Sequence, residues 1–378
     1  MKLLFLQTED YTFWSHRLPF ARAAKKAGYE VVVAAHEEAH GERIRAEGFR
    51  LVSLPWRRSG INPFYELYLL WRIVRLYTAE RPDLVHQVTM KPVLYGTFAA
   101  AIAGVPAVVN TFTGLGFVFI SSGLKARALR VGIGAALRLA LAKRGSRTIF
   151  QNKDDLALFI GGGLIAGDRA ELIRGSGVDT AAFAPTPLPA GAPLVVLPAR
   201  MLWDKGVGEF VSAARALRAR GIDARFALVG DADEANPAAV PPAKLAEWKA
   251  EGAVEWWGHR ADMDEVYRQA SVVCLPSYRE GLPKALMEAA ACGRALAAAD
   301  VPGCREVVVH DDTGLLFAVR DAAGLAAALE RLLGDSALRA RLGAGARTLA
   351  VSAFAQEKVV EQTLKVYRRL LEGAAHGS

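Results

Sequence analysis

The feature that most constrains this chain is an alternation of short apolar, β-branched runs with helix-length segments, occurring twice on either side of one Pro/Gly-rich stretch. In the first half the β-type runs fall at 3–6, 31–35, 51–54, 84–86, 107–110 and 148–150. Segments 17–26, 62–79 and 91–103 between them read as helices, the second opening on the Asn62-Pro63 start signal. Strands that alternate with helices in this way build a parallel sheet covered on both faces. A second series begins at 194–197 and continues with strands at 224–229, 253–256, 271–275 and 295–298 and a helix over 208–220. Between the two lies the stretch 184–193, with the sequence APTPLPAGAP, the strongest linker signal in the chain. The chain is therefore expected to be α/β, with one Rossmann-like, doubly wound domain over 1–183 and another over 184–355. A terminal amphipathic helix over 356–378, with Val360, Leu364, Tyr367 and Leu371 on one face, is expected to pack back across both. Two such domains imply a cleft between them.

A chain of 378 residues, 52% hydrophobic and 23% charged, has ample core for two domains. Three cysteines, Cys274, Cys292 and Cys304, with no Cys-x-x-Cys pair argue for a reducing compartment and against a disulfide framework or zinc site. MKLLFL at the start is too short for a signal-peptide core, because Gln7 and Glu9-Asp10 end it, and it reads as a first strand. Residues 92–124 carry no charge, but Gly104, Pro106 and a polar, Gly-rich run at 110–116 divide them into helix, strand and loop instead of a membrane span.

The charge is uneven. Residues 1–185 hold 24 Lys/Arg against 15 Asp/Glu, a net +9, whereas 186–378 hold 23 against 24, a net −1. No acidic residue occurs between Leu84 and Lys153, and 124–147 combines Lys125, Arg127, Arg130, Arg138, Lys143, Arg144 and Arg147 with Leu and Ala. Nucleic acid is disfavoured as the partner, since no base-stacking aromatic series or nucleic-acid motif accompanies the patch. An anionic lipid surface fits it better, and a solvated face on a core helix fits as well.

In doubly wound domains, ligands meet the loops at the carboxyl ends of the strands. In the second half those loops offer Arg200 and Lys205, a fork and a point charge suited to a diphosphate, and Gly258-His259-Arg260 beside a position for a base. They also offer the segment PSYREGLPKALMEAAACG, in which Glu280 sits in a loop and Glu288 inside the following helix, whose amino terminus attracts anions. Taken singly, each could be an ordinary surface charge or ion pair. The first strand-to-helix loop, 7–17, has no glycine, so the dinucleotide fingerprint is missing and NAD binding loses its support.

Together these residues resemble the retaining nucleotide-sugar glycosyltransferases of family 4, with the two-domain GT-B fold. The resemblance spans nearly the whole chain and rests on Arg200 with Lys205-Gly206, Gly230-Asp231, WWGHR, the Glu280-x7-Glu288 segment, PGCREVV and TGLLF. It implies that Arg200 and Lys205 hold the donor diphosphate, Glu280 approaches the donor sugar and Glu288 binds the ribose. Gly258, His259, Arg260, Gly281, Leu282 and Pro283 complete the implied donor site. Within IRGSGVDTAAFAP, Gly177-Val178-Asp179 is then interdomain backbone. The first half more narrowly resembles transferases that extend undecaprenyl-diphosphate-linked sugars, notably N-acetylgalactosaminyltransferases. FWSHRLPFARAAKKAGYEV, DLVHQVTMKPVLYGTFAA and NTFTGLGFVF carry this likeness. His86 is an expected contact to donor sugar or acceptor, and Arg17, Lys91, Thr113 and Gly114 are expected on the acceptor side. The first loop departs from the Gly-Gly pair of many family members.

The implied activity is transfer of N-acetylgalactosamine or another acetamido hexose from a UDP-sugar to a polyprenyl-diphosphate-linked saccharide. Charge stabilisation of the leaving diphosphate would carry the step, with no cofactor and no metal; Asp231-Ala-Asp233 has the spacing of a metal triplet at a place where this fold needs none. The expected location is cytoplasmic, peripherally on the inner face of the cell membrane. Alternatives are a family 4 transferase with a soluble or different lipid acceptor, a GT-B nucleotide-sugar 2-epimerase, and a non-catalytic membrane-associated binding protein. An epimerase would want further carboxylates and histidines for proton abstraction.

Overall fold

The computed structural model describes residues 1–57, 62–114, 124–188, 190–234 and 236–375, with backbone alone for 124–130 and Ala375. The side chains of Lys125, Arg127 and Arg130 therefore lie outside the described residues, as does the 115–119 part of NTFTGLGFVF. The chain forms two compact units, one of Met1–Ser176 with Val359–Ser378 and one of Gly177–Lys358.

The first unit is a seven-stranded parallel sheet of β1 (Lys2–Glu9), β2 (Glu30–His36), β3 (Arg50–Ser53), β4 (Leu84–Val88), β5 (Ala107–Phe112), β6 (Ser146–Phe150) and β7 (Ala170–Leu172). Its order is β3-β2-β1-β4-β5-β6-β7. Side chains alternate across a strand, and here both faces are enclosed, which explains why the strands read as continuous apolar runs. Leu3, Phe5, Val31 and Val33 enter one core cluster, where Val359, Val360, Val366, Tyr367 and Leu370 of the terminal helix join them. Leu4, Leu6, Val32 and Ala34 enter another, against Leu69, Ile73, Leu76 and Tyr77 of the helix Pro63–Glu80. Each such Val, Leu or Phe contributes about 1.5–3 kcal/mol on burial.

The second unit is a six-stranded parallel sheet of β8 (Leu194–Pro198), β9 (Arg225–Val229), β10 (Glu255–Trp256), β11 (Val272–Leu275), β12 (Ala295–Ala299) and β13 (Gly314–Phe317), ordered β10-β9-β8-β11-β12-β13. In each sheet the order reverses beside the first strand, between β1 and β4 and between β8 and β11. Loops diverge at such a switch point and leave room for a ligand.

Two expectations are corrected. The segment 7–17 is not an open loop: β1 runs to Glu9, and a helix follows directly over Asp10–His16. Asp10 is buried there and accepts the backbone N–H groups of Glu38 and His40, tying the turn to the loop after β2. The Pro-rich stretch 184–193 is not a free linker either, since the chain crosses between units earlier, at Ser176/Gly177. Arg347 donates to the carbonyls of Thr180 and Phe183 just before the stretch, and the fully buried Arg294 donates to the Thr186 carbonyl within it at 2.7 Å, so 180–186 lies strapped along the second unit.

Candidate active site

The switch point of the second sheet gathers the residues with chemistry. After β8 the chain passes Arg200 and makes a short 3-10 turn over Trp203–Lys205, ending on Gly206 at φ +72°. A Cβ at Gly206 would stand 2.2 Å from the Pro276 carbonyl oxygen, so only glycine lets this loop press against the loop after β11. The Tyr278 N–H, donating to the Asp204 carbonyl at 2.9 Å, joins the two loops. This contact sets Lys205 Nζ 2.6 Å from Glu280 Oε1, with both side chains largely shielded. From the other side, Gly303 brings the loop after β12 so close that its Cβ would meet the Gly281 carbonyl oxygen at 2.4 Å. Glu280-Gly281 is thus held between two loops of the same sheet edge.

Arg200 Nη1 lies 2.8 Å from Asp233 Oδ2, in the loop after β9. Asp231 Oδ1 accepts the His259 N–H at 2.9 Å, and the Gly258 carbonyl accepts from Gly230. The loops after β8, β9 and β10 are therefore one hydrogen-bonded group. Arg260 makes a two-pronged pair with Asp262.

Leu282 and Pro283 are buried and lead into the helix Lys284–Ala291, with Pro283 at its cap position. Glu288 is 7% exposed. Burial pushes its carboxyl above the ordinary range, against the opposing pull of the Lys284 ammonium and the Tyr267 hydroxyl. The Tyr267 OH donates to Glu288 Oε2 at 3.1 Å, and Lys284 Nζ lies 3.4 Å from Oε1. Tyr267 was not legible as a functional residue: it sits in a short helix, Met263–Gln269, with nothing in its spacing to tie it to a glutamate 21 positions on.

In the first unit the structure moves two expected residues into the core. His86 is fully enclosed, with Nδ1 2.5 Å from the Tyr367 hydroxyl and Nε2 2.8 Å from Thr111 Oγ1. Both ring nitrogens are occupied, and burial beside Arg17 holds the imidazole well below its usual pKa, in the neutral form. Its expected catalytic contact is replaced by a structural one, fastening the terminal helix to β4. Arg17 is 2% exposed, its guanidinium 5.2 Å from the Phe20 ring centre, and burial lowers its pKa to about 10. It is a buried cation, not the surface contact expected for an acceptor diphosphate. Lys91 remains partly exposed and pairs with Glu66 at 3.0 Å. Thr113 and Gly114 are half-buried just beyond the carboxyl end of β5, where ligand-facing loops belong.

Two parallel, doubly wound units, the second with cations and carboxylates at its switch point, are the architecture that the resemblance to two-domain glycosyltransferases implies. Residues 2–152 match the family profile described as Glycosyl transferase 4-like, and residues 192–335 match Glycosyl transferases group 1. The chain belongs to these glycosyltransferases and has the GT-B fold. It is similar to the N,N'-diacetylbacillosaminyl-diphospho-undecaprenol alpha-1,3-N-acetylgalactosaminyltransferase of Campylobacter jejuni, at 28% identity over 98% of this chain and 100% of that one. A UDP-Gal:alpha-D-GlcNAc-diphosphoundecaprenol alpha-1,3-galactosyltransferase of Escherichia coli is 25% identical over 85% of this chain and 84% of its own. Among solved structures, the Anabaena HepE protein in complex with UDP superposes with a TM-score of 0.78 at 19% identity, covering 98% of this chain and 100% of that chain. A glycosyltransferase from Rickettsia africae does so with a TM-score of 0.78 at 17% identity, covering 98% of each.

Proposed function

We propose that this glycosyltransferase moves an acetamido hexose, N-acetylgalactosamine in the first instance, from a UDP-sugar to a polyprenyl-diphosphate-linked saccharide, at the inner face of the cell membrane and with retention at the anomeric carbon. The observation that carries this reading is end-to-end similarity to the Campylobacter jejuni enzyme, whose name states both that sugar and a lipid-diphosphate acceptor.

In this reading the donor diphosphate lies at the switch point of the second sheet. There its charge draws Lys205 from Glu280 and Arg200 from Asp233, and the freed Glu280 turns to the sugar. As the glycosidic bond breaks, negative charge builds on the leaving diphosphate. Arg200, Lys205 and the amino terminus of the helix Lys284–Ala291 stabilise that charge. Glu288 accepts from the ribose hydroxyls, held in place by Tyr267. The acceptor hydroxyl attacks the anomeric carbon from the face the leaving group departs, and its proton passes to the departing diphosphate oxygen. No metal is required in this reading, because the Arg200 and Lys205 cations neutralise the diphosphate and Asp231 is engaged by the His259 backbone N–H.

The test is incubation of the protein with a panel of UDP-sugars and a short polyprenyl-diphosphate sugar, with and without EDTA. UDP release is expected with an acetamido donor and unchanged by EDTA. No nucleotide release with any donor would overturn the transferase reading, and loss of release in EDTA would overturn metal independence.

A further inference from the structure

The helix Pro63–Glu80 is apolar on both sides. Leu69, Ile73, Leu76 and Tyr77 face the core. Phe64, Leu67, Tyr68 and Trp71 form a single stripe on the opposite side and are 83%, 64%, 43% and 50% exposed. A helix apolar all round is ordinarily enclosed, so an open outer stripe of this kind marks a contact surface.

Charge says what it contacts. Both acids of the helix are turned away: Glu66 pairs with Lys91, and Glu80 with Lys2 and Arg50. The cations line the stripe instead. Arg72 donates to the Tyr68 hydroxyl at 2.9 Å, and the Arg75 guanidinium lies 5.0 Å from the Trp71 ring centre. Aromatic rings that enter the headgroup layer, flanked by arginines that meet phosphates, are the chemistry of an interfacial helix.

We propose that the outer face of the helix Pro63–Glu80 docks this protein on an anionic phospholipid bilayer, with Phe64, Leu67, Tyr68 and Trp71 inserted and Arg72 and Arg75 on the phosphates. This rests on the reading of a lipid-linked acceptor and adds to it the surface that reaches the membrane. The helix lies in the interface; among the described residues no helix is long and apolar enough to cross a membrane. The basic helix Leu124–Leu141 and the turn after it, to which the sequence drew attention, use some of their cations internally. Arg138 donates to the carbonyls of Gly163 and Gly162, and Lys143 to that of Val105.

The experiment is flotation of the full chain with phosphatidylglycerol-containing and pure phosphatidylcholine vesicles, alongside UDP release in detergent and thermal unfolding. The wild type is expected to float with anionic vesicles. The double variant Phe64→Ser/Trp71→Ser is expected to bind them about tenfold more weakly, with donor turnover in detergent and unfolding temperature unchanged. Arg72→Ala/Arg75→Ala should shrink the preference for anionic over neutral vesicles. Wild-type flotation by both variants overturns the proposal. So does a Trp71-dependent dimer that never floats, or flotation abolished by Lys143→Ala/Arg144→Ala/Arg147→Ala and not by the stripe variants. Failure of turnover in the wild type would instead sink the transferase reading, while flotation still judges the surface.

Discussion

At the scale of single residues, Glu288 is where binding and stability oppose each other. Its carboxyl is raised by burial, so the folded state favours the protonated form. That contribution is complete below the unfolded-state value and is lost as pH rises through the folded one. As pH rises from about 4, the ordinary carboxyl value, through the raised folded-state value, the wild type should therefore lose more stability than Glu288→Gln, which carries no titratable group there. Thermal unfolding of both proteins across that range checks this, together with a weaker donor KM for the variant; parallel stability curves would contradict it. How much of the site was legible follows from the kind of contact. Arg200, Lys205, Glu280 and Glu288 were visible because motif spacing fixes their loops. The Tyr267 bond to Glu288 was not, because it joins separate elements whose docking no local pattern encodes. His86 misled for a related reason: a histidine near a strand end looks the same in sequence whether it faces a loop or, as here, Tyr367.

At the scale of elements, the close approach of the loops after β8 and β11 is what builds the Lys205–Glu280 pair. Gly206→Ala places a Cβ against the Pro276 carbonyl and strains a positive φ. It should cost about 1–3 kcal/mol and lower donor turnover by about tenfold. Gly221→Ala separates the two causes, because Gly221 has φ +76° but nothing within 4 Å of its added Cβ. It should lower the unfolding temperature less and leave turnover intact; equal effects on turnover from the two variants would contradict the role given to Gly206. Most strands that read well from sequence are buried on both faces, with unbroken apolar runs, although the partly exposed edge strands β3 and β10 read well too. The edge strands β7 and β13 escaped, β7 because Glu171 interrupts it and β13 because it opens on a glycine. The helix Asp10–His16 escaped because DYTFWSH carries too little apolar periodicity to declare itself.

At the scale of the whole molecule, the chain divides its tasks by unit. The second unit, with 20 Lys/Arg against 23 Asp/Glu, carries the candidate site; the first, with 27 against 16, holds the excess positive charge and the exposed aromatic stripe of Pro63–Glu80. That division was readable in the charge count, although the element that presents the stripe was not, since its two apolar faces cannot be told apart without a sheet for one of them to cover. The claim that unites these observations is transfer of an acetamido sugar onto a lipid-linked acceptor. Mass spectrometry of an undecaprenyl-diphosphate saccharide, after incubation with UDP-N-acetylgalactosamine and the protein, tests it most directly. The account predicts an acceptor heavier by one N-acetylhexosamine residue, formed by the wild type and not by Lys205→Ala. UDP release with an acceptor of unchanged mass would contradict it.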